Sequence, residues 1–353
     1  MGKYLDRETK GILLYAPRNE ETELIVEFIE NWLAPRGCNL IVLLIRYAYQ
    51  FESHPECAAG NGISYEMYED GSCGWYPESV VPKPLSKENL IKIREACKRH
   101  GIKLVPKMNL LGHQSEKTHR NLPKSKDTPD GLLRAYPEFA ETPDAEVTYA
   151  RSLCPNHPGV KPIVFDLMDE LVDVCEADAI HIGCDEVHDI GLCDRCKGQS
   201  TADIFADWVN TLASHMRQSG KRVYMWGDRL LSQKIYNDTI WDAAGNGTEH
   251  AIDKVAKDIM ICDWHYSYFE EYKSVGVFQD NGFDFLVCPW LNKKNAVQFL
   301  EYAQKHGNER LKGFMLTTWN GSAELARHLM GNKMSTNTTV IELAETIEEL
   351  FSV

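Results

Sequence analysis

Ala177-Asp178-Ala179-Ile180-His181-Ile182-Gly183-Cys184-Asp185-Glu186 is an apolar run that breaks into a loop at two adjacent carboxylates. In a regular strand neighbouring side chains point to opposite faces. Asp185 and Glu186 therefore cannot enter one pocket from mid-strand, whereas both can where the strand gives way to a loop. A carboxylate pair at the carboxyl end of a strand is a common way to build acid chemistry. A bare Asp-Glu pair also reads as a solvated acidic loop. The preceding His-x-Gly, and the pattern on either side, favour the first reading.

Working outward, short apolar runs alternate with amphipathic stretches along the whole chain. Strands are expected over residues 11–16, 39–45, 102–108, 179–183, 222–226, 258–264, 283–289 and 313–319. Helical periodicity falls at 21–33, 87–99, 163–175, 202–218 and 339–351, and Phe205, Trp208, Leu212 and Met216 mark the core face of one such helix. Regular βα alternation implies a parallel sheet. Eight units in 353 residues predict an α/β fold, a (β/α)8 TIM barrel. It is read as a single catalytic domain over residues 1–353, with long loops after strands 2 and 3. A doubly wound open sheet is the alternative, but the Gly-rich phosphate loop it needs after the first strand is missing.

The net charge of −14 argues against nucleic acid or an anionic membrane as partner. No apolar run approaches the length of a membrane helix. Met1-Gly2-Lys3-Tyr4-Leu5-Asp6 lacks both a signal-peptide core and a myristoylation Ser/Thr. With an odd count of 11 cysteines, this leads to the expectation of reduced thiols in a cytoplasmic protein. No cofactor is expected.

Four of the eight tryptophans, Trp226, Trp264, Trp290 and Trp319, stand at expected strand ends. On a barrel they would wall a cup whose flat faces suit a pyranose ring. Each taken singly also reads as core.

At these residues the chain resembles the catalytic barrel of glycoside hydrolase family 20, the β-N-acetylhexosaminidases. The family's mark is His-x-Gly-Gly-Asp-Glu at the end of strand four. Here it reads His181-Ile182-Gly183-Cys184-Asp185-Glu186, with Cys184 in place of the second Gly. Gly11–Arg18 is similar to the family's first strand, whose terminal Arg grips sugar hydroxyls. Leu111-Gly112-His113 is similar to its Pro-Gly-His, and Trp226-Gly227-Asp228 to its Trp-x-Asp. Residues 258–264 and 313–319 resemble strands six and eight, each ending in Trp.

The departures concern the outer contacts. Trp290-Leu291-Asn292 stands where the family has a Tyr two residues before an Asp, leaving the Trp290 indole N–H to serve the substrate acetamide. Arg46-Tyr47-Ala48-Tyr49 replaces an acidic residue after strand two, and Gly321 replaces a Glu. Lys107 and Asn109 stand for the Glu and Asp of Pro-Glu-x-Asp.

The resemblance implies a retaining exo-glycosidase that removes terminal β-linked N-acetylhexosamines by substrate-assisted catalysis, on a glycan or amino-sugar substrate. Glu186 would be the acid and base, and Asp185 would orient the acetamide. Arg18, His113, His181, Trp226, Trp264, Trp290, Asn292 and Trp319 would bind the sugar. His113 and His181 also read as hydrogen-bonded structural histidines. A catalytically altered carbohydrate-binding relative is the alternative function. A metal-dependent hydrolase ranks last, because no His-x-x-x-His or Asp/His cluster marks a strand end. Cys193-Asp194-Arg195-Cys196 supplies half of a zinc site at most, for which Cys184, His188, Cys57 or Cys73 are the available additional ligands. Free or redox-active thiols are expected there instead, and no metal.

Overall fold

The computed structural model describes residues 4–58, 84–117, 127–129, 131–142, 149–236 and 241–352. Its centre is a closed barrel of eight strands, with every neighbouring pair parallel. In chain order these are β1 (Thr9–Tyr15), β2 (Leu40–Leu44), β3 (Lys103–Lys107), β4 (Ala179–His181), β5 (Arg222–Trp226), β6 (Met260–Trp264), β7 (Phe285–Cys288) and β8 (Leu311–Leu316). The strand-to-strand order follows the chain, and β8 returns beside β1. The fold is a (β/α)8 barrel, as the alternation of apolar runs predicts.

Besides a five-residue helical turn at Gly131–Ala135, the helices are α1 (Thr22–Phe28), α2 (Lys87–Arg99), α3 (Val160–Val174), α4 (Thr201–Gln218), α5 (Lys273–Asp280), α6 (Lys293–His306), α7 (Ser322–Leu329) and α8 (Thr338–Leu350). Ser86, Ser200, Asn292 and Asn337 cap α2, α4, α6 and α8 by accepting a backbone N–H of the first turn. The helix expected over 21–33 changes pitch after Phe28, passing into a π turn (Ile29–Leu33) and a 3₁₀ turn (Ala34–Arg36). Among the described residues no α-helix separates β5 from β6. Short 3₁₀ turns at Asp228–Leu230, Gln233–Tyr236 and Thr248–Ala251 fill that place. Most of the insertion after β2 lies outside the described residues, as does Cys73.

Strand alternation sorts the apolar side chains into two cores. Leu13, Val42, Val105, Trp226, Cys262, Leu286 and Met315 fill the barrel interior. Ile12, Leu14, Ile41, Leu104, Ile180 and Ile261 face outward to the helices, where Phe205, Trp208, Leu212 and Met216 of α4 meet them as part of one continuous layer. Both faces of the sheet are covered, which is why the strands read as unbroken apolar runs.

Closure depends on one close approach. Gly313 in β8 has φ +140°, and a Cβ there would lie 2.0 Å from the Thr9 carbonyl oxygen of β1. The β7–β8 register also shifts between Leu311 and Gly313. Gly313→Ala is expected to lower the unfolding free energy by roughly 2–4 kcal/mol through backbone strain at this seam. Gly276→Ala, inside α5 with nothing within 4 Å, serves as the control and should not. Thermal unfolding of the two variants checks this, and equal midpoints would contradict it.

Candidate active site

The carboxyl ends of the strands gather the unusual backbone of the molecule. Among the described residues six non-glycine residues have positive φ, and five of them follow barrel strands: Arg46, His113, Cys184, Glu186 and Trp319. Such conformations cost about 1–3 kcal/mol each and persist where the surroundings enforce them. After β4 the chain passes through Gly183 at φ +72°, Cys184 at +66° and Glu186 at +46°. Gly183 has a second constraint, because a Cβ would lie 2.8 Å from the Asn109 amide oxygen. Cys184 takes a left-handed conformation that a glycine adopts without strain. Its buried thiol turns back to the Ile182 carbonyl at 3.7 Å.

This irregular turn brings both acids to one imidazole. His113 Nε2 lies 3.2 Å from Asp185 Oδ2 and 3.1 Å from Glu186 Oε2. Burial alone would lower the His113 pKa. The charge of Asp185 and the contacts with both carboxylates outweigh it and raise the value to about 10. Asp185 is buried too, which by itself would raise its pKa. The His113 cation, with Lys107 beyond it, instead holds it well below the usual carboxylate range. Asp185 Oδ1 is buried and has no hydrogen-bond partner among the described residues.

The supports come from neighbouring strands. Asp228, after β5, accepts the Glu186 backbone N–H at 2.9 Å and the Trp264 indole N–H at 3.2 Å. Arg229 donates to the same carboxylate at 2.6 Å, yet burial still pushes Asp228 up to about 6. Lys107, at the end of β3, is 1% exposed and donates to Asn109 at 2.6 Å. Burial lowers its pKa to about 8 against the pull of Asp185. A lysine and an amide standing for two acids thus put a cation and its hydrogen-bond acceptor beneath the carboxylate pair.

The remaining residues singled out in the sequence take different places. His181 Nδ1 accepts the Gly183 N–H at 3.0 Å, which puts the ring proton on Nε2. Burial and the Lys107 charge keep this ring neutral. It packs 4.6 Å from Trp226, which is wholly buried and forms the floor of the mouth, so Trp226 is no wall of a cup. Trp264 belongs to the same interior cluster and donates its indole N–H to Asp228, and Trp319 packs against that cluster half-buried. The Trp290 indole N–H donates to the Thr318 carbonyl at 3.0 Å, so that bond takes the donor expected for an acetamide. Asn292 caps α6 with its side-chain oxygen. Arg18 pairs with Glu21 at 2.5 Å and with Glu20 at 3.6 Å.

Several residues were not legible as site residues. Tyr266, two positions past β6, accepts the Trp319 indole N–H at 2.7 Å and packs between Trp264, tilted to it, and Trp290, edge-on to it. Tyr149 sets its ring edge to His113 at 5.5 Å and reaches His188 and Trp241 at 6.0 and 5.4 Å. Tyr266 and Tyr149 lie on irregular loops, where no periodicity marks them. Tyr266 could have been found from its place in Trp264-His265-Tyr266, immediately after a strand end.

Residues 48–332 match the family model of the glycosyl hydrolase family 20 catalytic domain. The chain belongs to that family. The match leaves out β1, β2 and Arg18. A β-hexosaminidase of Vibrio furnissii is 22% identical over 234 residues, which make up 64% of this chain and 32% of that protein. The chain therefore spans about a third of this curated relative. The structure of a β-N-acetylhexosaminidase from Bacteroides fragilis superposes with a TM-score of 0.63 at 14% identity, covering 97% of this chain and 66% of that one. That of an exo-β-N-acetylglucosaminidase from Vibrio harveyi, in complex with N-acetylglucosamine, gives 0.62 at 15%, covering 97% and 54%. At this identity the two structures support the family 20 barrel fold.

The His113 bridge sets a pH signature. Its pKa rises from 6.5 to about 10 on folding, so its stabilisation is fully present below pH 6.5 and is lost as pH climbs towards 10. His113→Asn should lower stability by about 3–5 kcal/mol near neutrality, because it strands two neighbouring carboxylates. The variant should also lose the decline in stability across that window. Denaturant titrations at several pH values check both, and an unchanged slope would contradict the bridge.

Proposed function

We propose that the protein is a retaining exo-glycosidase that hydrolyses terminal β-linked N-acetylhexosamines, with the substrate's own 2-acetamido group as nucleophile. The observation that carries this reading is Asp185 Oδ1, a buried acceptor without a partner beside a second carboxylate. An acetamide N–H is the donor such an atom calls for. The V. harveyi enzyme crystallised with N-acetylglucosamine supports the substrate class.

The acetamide oxygen attacks the anomeric carbon as the glycosidic bond breaks, and Glu186, which enters this step as the protonated carboxylic acid, gives its proton to the departing oxygen. An oxazolinium ion results. Asp185, ionised through its contact with His113, accepts the acetamide N–H, orients the carbonyl oxygen and offsets the positive charge that develops. Glu186 then takes a proton from water, which attacks the anomeric carbon from the vacated side, and the configuration is retained. This is an exception to the two-carboxylate scheme. Asp228 holds the Glu186 backbone and so sets the height of the acid above the floor. The Tyr266 hydroxyl takes the place at the acetamide oxygen, since the Trp290 N–H is bonded to Thr318. Trp319, fixed by Tyr266, offers a face to the sugar ring.

Paired variants test the roles. Glu186→Gln should lower turnover of a chitobiose-type disaccharide by about 10²–10⁴-fold, and by less with a nitrophenyl leaving group that needs little protonation. Asp185→Ala should penalise 2-acetamido substrates selectively. Full activity of Glu186→Gln on the disaccharide would remove Glu186 from the acid role. A parent protein that binds N-acetylglucosamine yet cleaves no acetamido glycoside would favour the carbohydrate-binding relative.

A further inference from the structure

We propose that Glu141, Cys154, Cys193 and Cys196 form a structural zinc site that clips the loop after β3 to the loop after β4. Sequence spacing supplies only Cys193 and Cys196. The fold adds a thiol and a carboxylate from 39 and 52 residues away. Cys154 Sγ lies 3.4 Å from Cys193 Sγ and 3.6 Å from Cys196 Sγ, and Cys193 Sγ lies 3.5 Å from Glu141 Oε2. The four atoms all fall within 4.8 Å of one another.

Those separations suit one tetrahedral ion. Zinc–sulfur bonds of about 2.3 Å and a zinc–oxygen bond of about 2.0 Å place vertices roughly 3.5–3.8 Å apart. An iron–sulfur cluster needs a wider cage of sulfurs, and a disulfide needs two sulfurs at about 2.05 Å and would strand the third. Soft thiolates in this geometry select zinc over magnesium or calcium. With four protein ligands no position stays open for water, so the site is structural.

Two further observations favour a cation. Glu141 is 1% exposed, and no basic side chain among the described residues forms an ion pair with it. A carboxylate buried among sulfurs without a counter-charge is unfavourable unless a metal supplies one. Glu141 is also pre-oriented. Its Oε1 accepts the backbone N–H groups of Leu192 and Cys193 at 2.6 and 3.0 Å, leaving Oε2 turned towards the sulfurs. The Cys193 carbonyl accepts the N–H of Cys196 and Lys197, a tight turn that presents both thiols on one side. Asn156 donates to Cys196 Sγ at 3.4 Å, as ligand thiolates in metal sites commonly require. The other thiols and the histidine raised by the sequence lie elsewhere. Cys184 faces the Ile182 carbonyl, His188 packs against Tyr149 and Trp241, and Cys57 sits beside Arg134.

The clip matters because of what it joins. Tyr149, whose ring touches His113, lies between Glu141 and Cys154. His188 lies between Glu186 and Cys193. A metal there would hold both loops that form this side of the mouth, without taking part in bond cleavage.

Metal analysis of the whole chain, purified without added metal, should find about one zinc per molecule. X-ray absorption at the zinc edge should show three sulfurs at about 2.3 Å and one oxygen at about 2.0 Å. Cys193→Ser should lose most of the zinc, whereas Cys288→Ser, in the barrel interior, should keep it. If Cys193→Ser does not fold, the absorption spectrum of the parent decides alone. Absence of zinc, with Cys154, Cys193 and Cys196 titrating as free thiols in the native protein, would overturn the site. A shell of four sulfurs would overturn this ligand set, because it would displace Glu141. None of these readouts depends on glycosidase activity, so they stand or fall separately from the proposed reaction.

Discussion

Two carboxylates placed side by side at the mouth of a barrel repel each other, and the arrangement around Asp185 and Glu186 depends on the imidazolium between them. His113 Nε2 is within 3.2 Å of both acids, on a backbone turn at φ +55°. Its neighbours are arranged to keep it there: Tyr149 meets the ring edge-on, and Arg46 donates to its carbonyl at 3.4 Å. The cation keeps Asp185 ionised, which makes it a stronger acceptor for an amide N–H. It also leaves Glu186 to be positioned through its backbone by Asp228. The strained turns, the buried lysine and the paired aromatic walls all surround this one interaction.

Much of the fold was legible because a parallel barrel buries both faces of each strand. Continuous apolar runs followed by amphipathic helices then locate the units, and α2 and β5 fall on the expected residues. The fifth unit was less legible. The chain after β5 turns through 3₁₀ segments that leave no 3.6-residue period. The acid pair could be read because it sits in contiguous sequence at a strand end. His113 could be read through its Leu-Gly-His context. The division of labour among the tryptophans could not, because an aromatic at a strand's end faces the mouth or the floor according to the register. Trp226 turns to the interior, and Trp290 spends its N–H on a neighbouring loop carbonyl. Tyr149 and Glu141 became visible only when the fold brought distant loops together.

The substitutions that distinguish this chain cluster beneath and around the acids rather than on them. Lys107 and Asn109 replace two acids and form a buried pair of their own. Cys184 replaces a glycine in a left-handed turn. Gly321 stands at the N-cap position of α7, and the Asn292 side chain caps α6, so both positions serve helix termini here. The proposed zinc clip belongs to the same pattern. It stabilises the loops that carry Tyr149 and His188 at a distance from the carboxylates and adds nothing to the reacting atoms.

The measurement that reaches the centre of this account is a crystal structure with N-acetylglucosamine-thiazoline, a stable mimic of the oxazolinium ion. The thiazoline nitrogen should lie within roughly 2.6–3.2 Å of Asp185 Oδ1. The anomeric carbon should sit beneath Glu186, and the sugar face should lie on Trp319. A ligand bound with Asp185 Oδ1 left unpaired, or seated away from the Asp185–His113–Glu186 bridge, would contradict it.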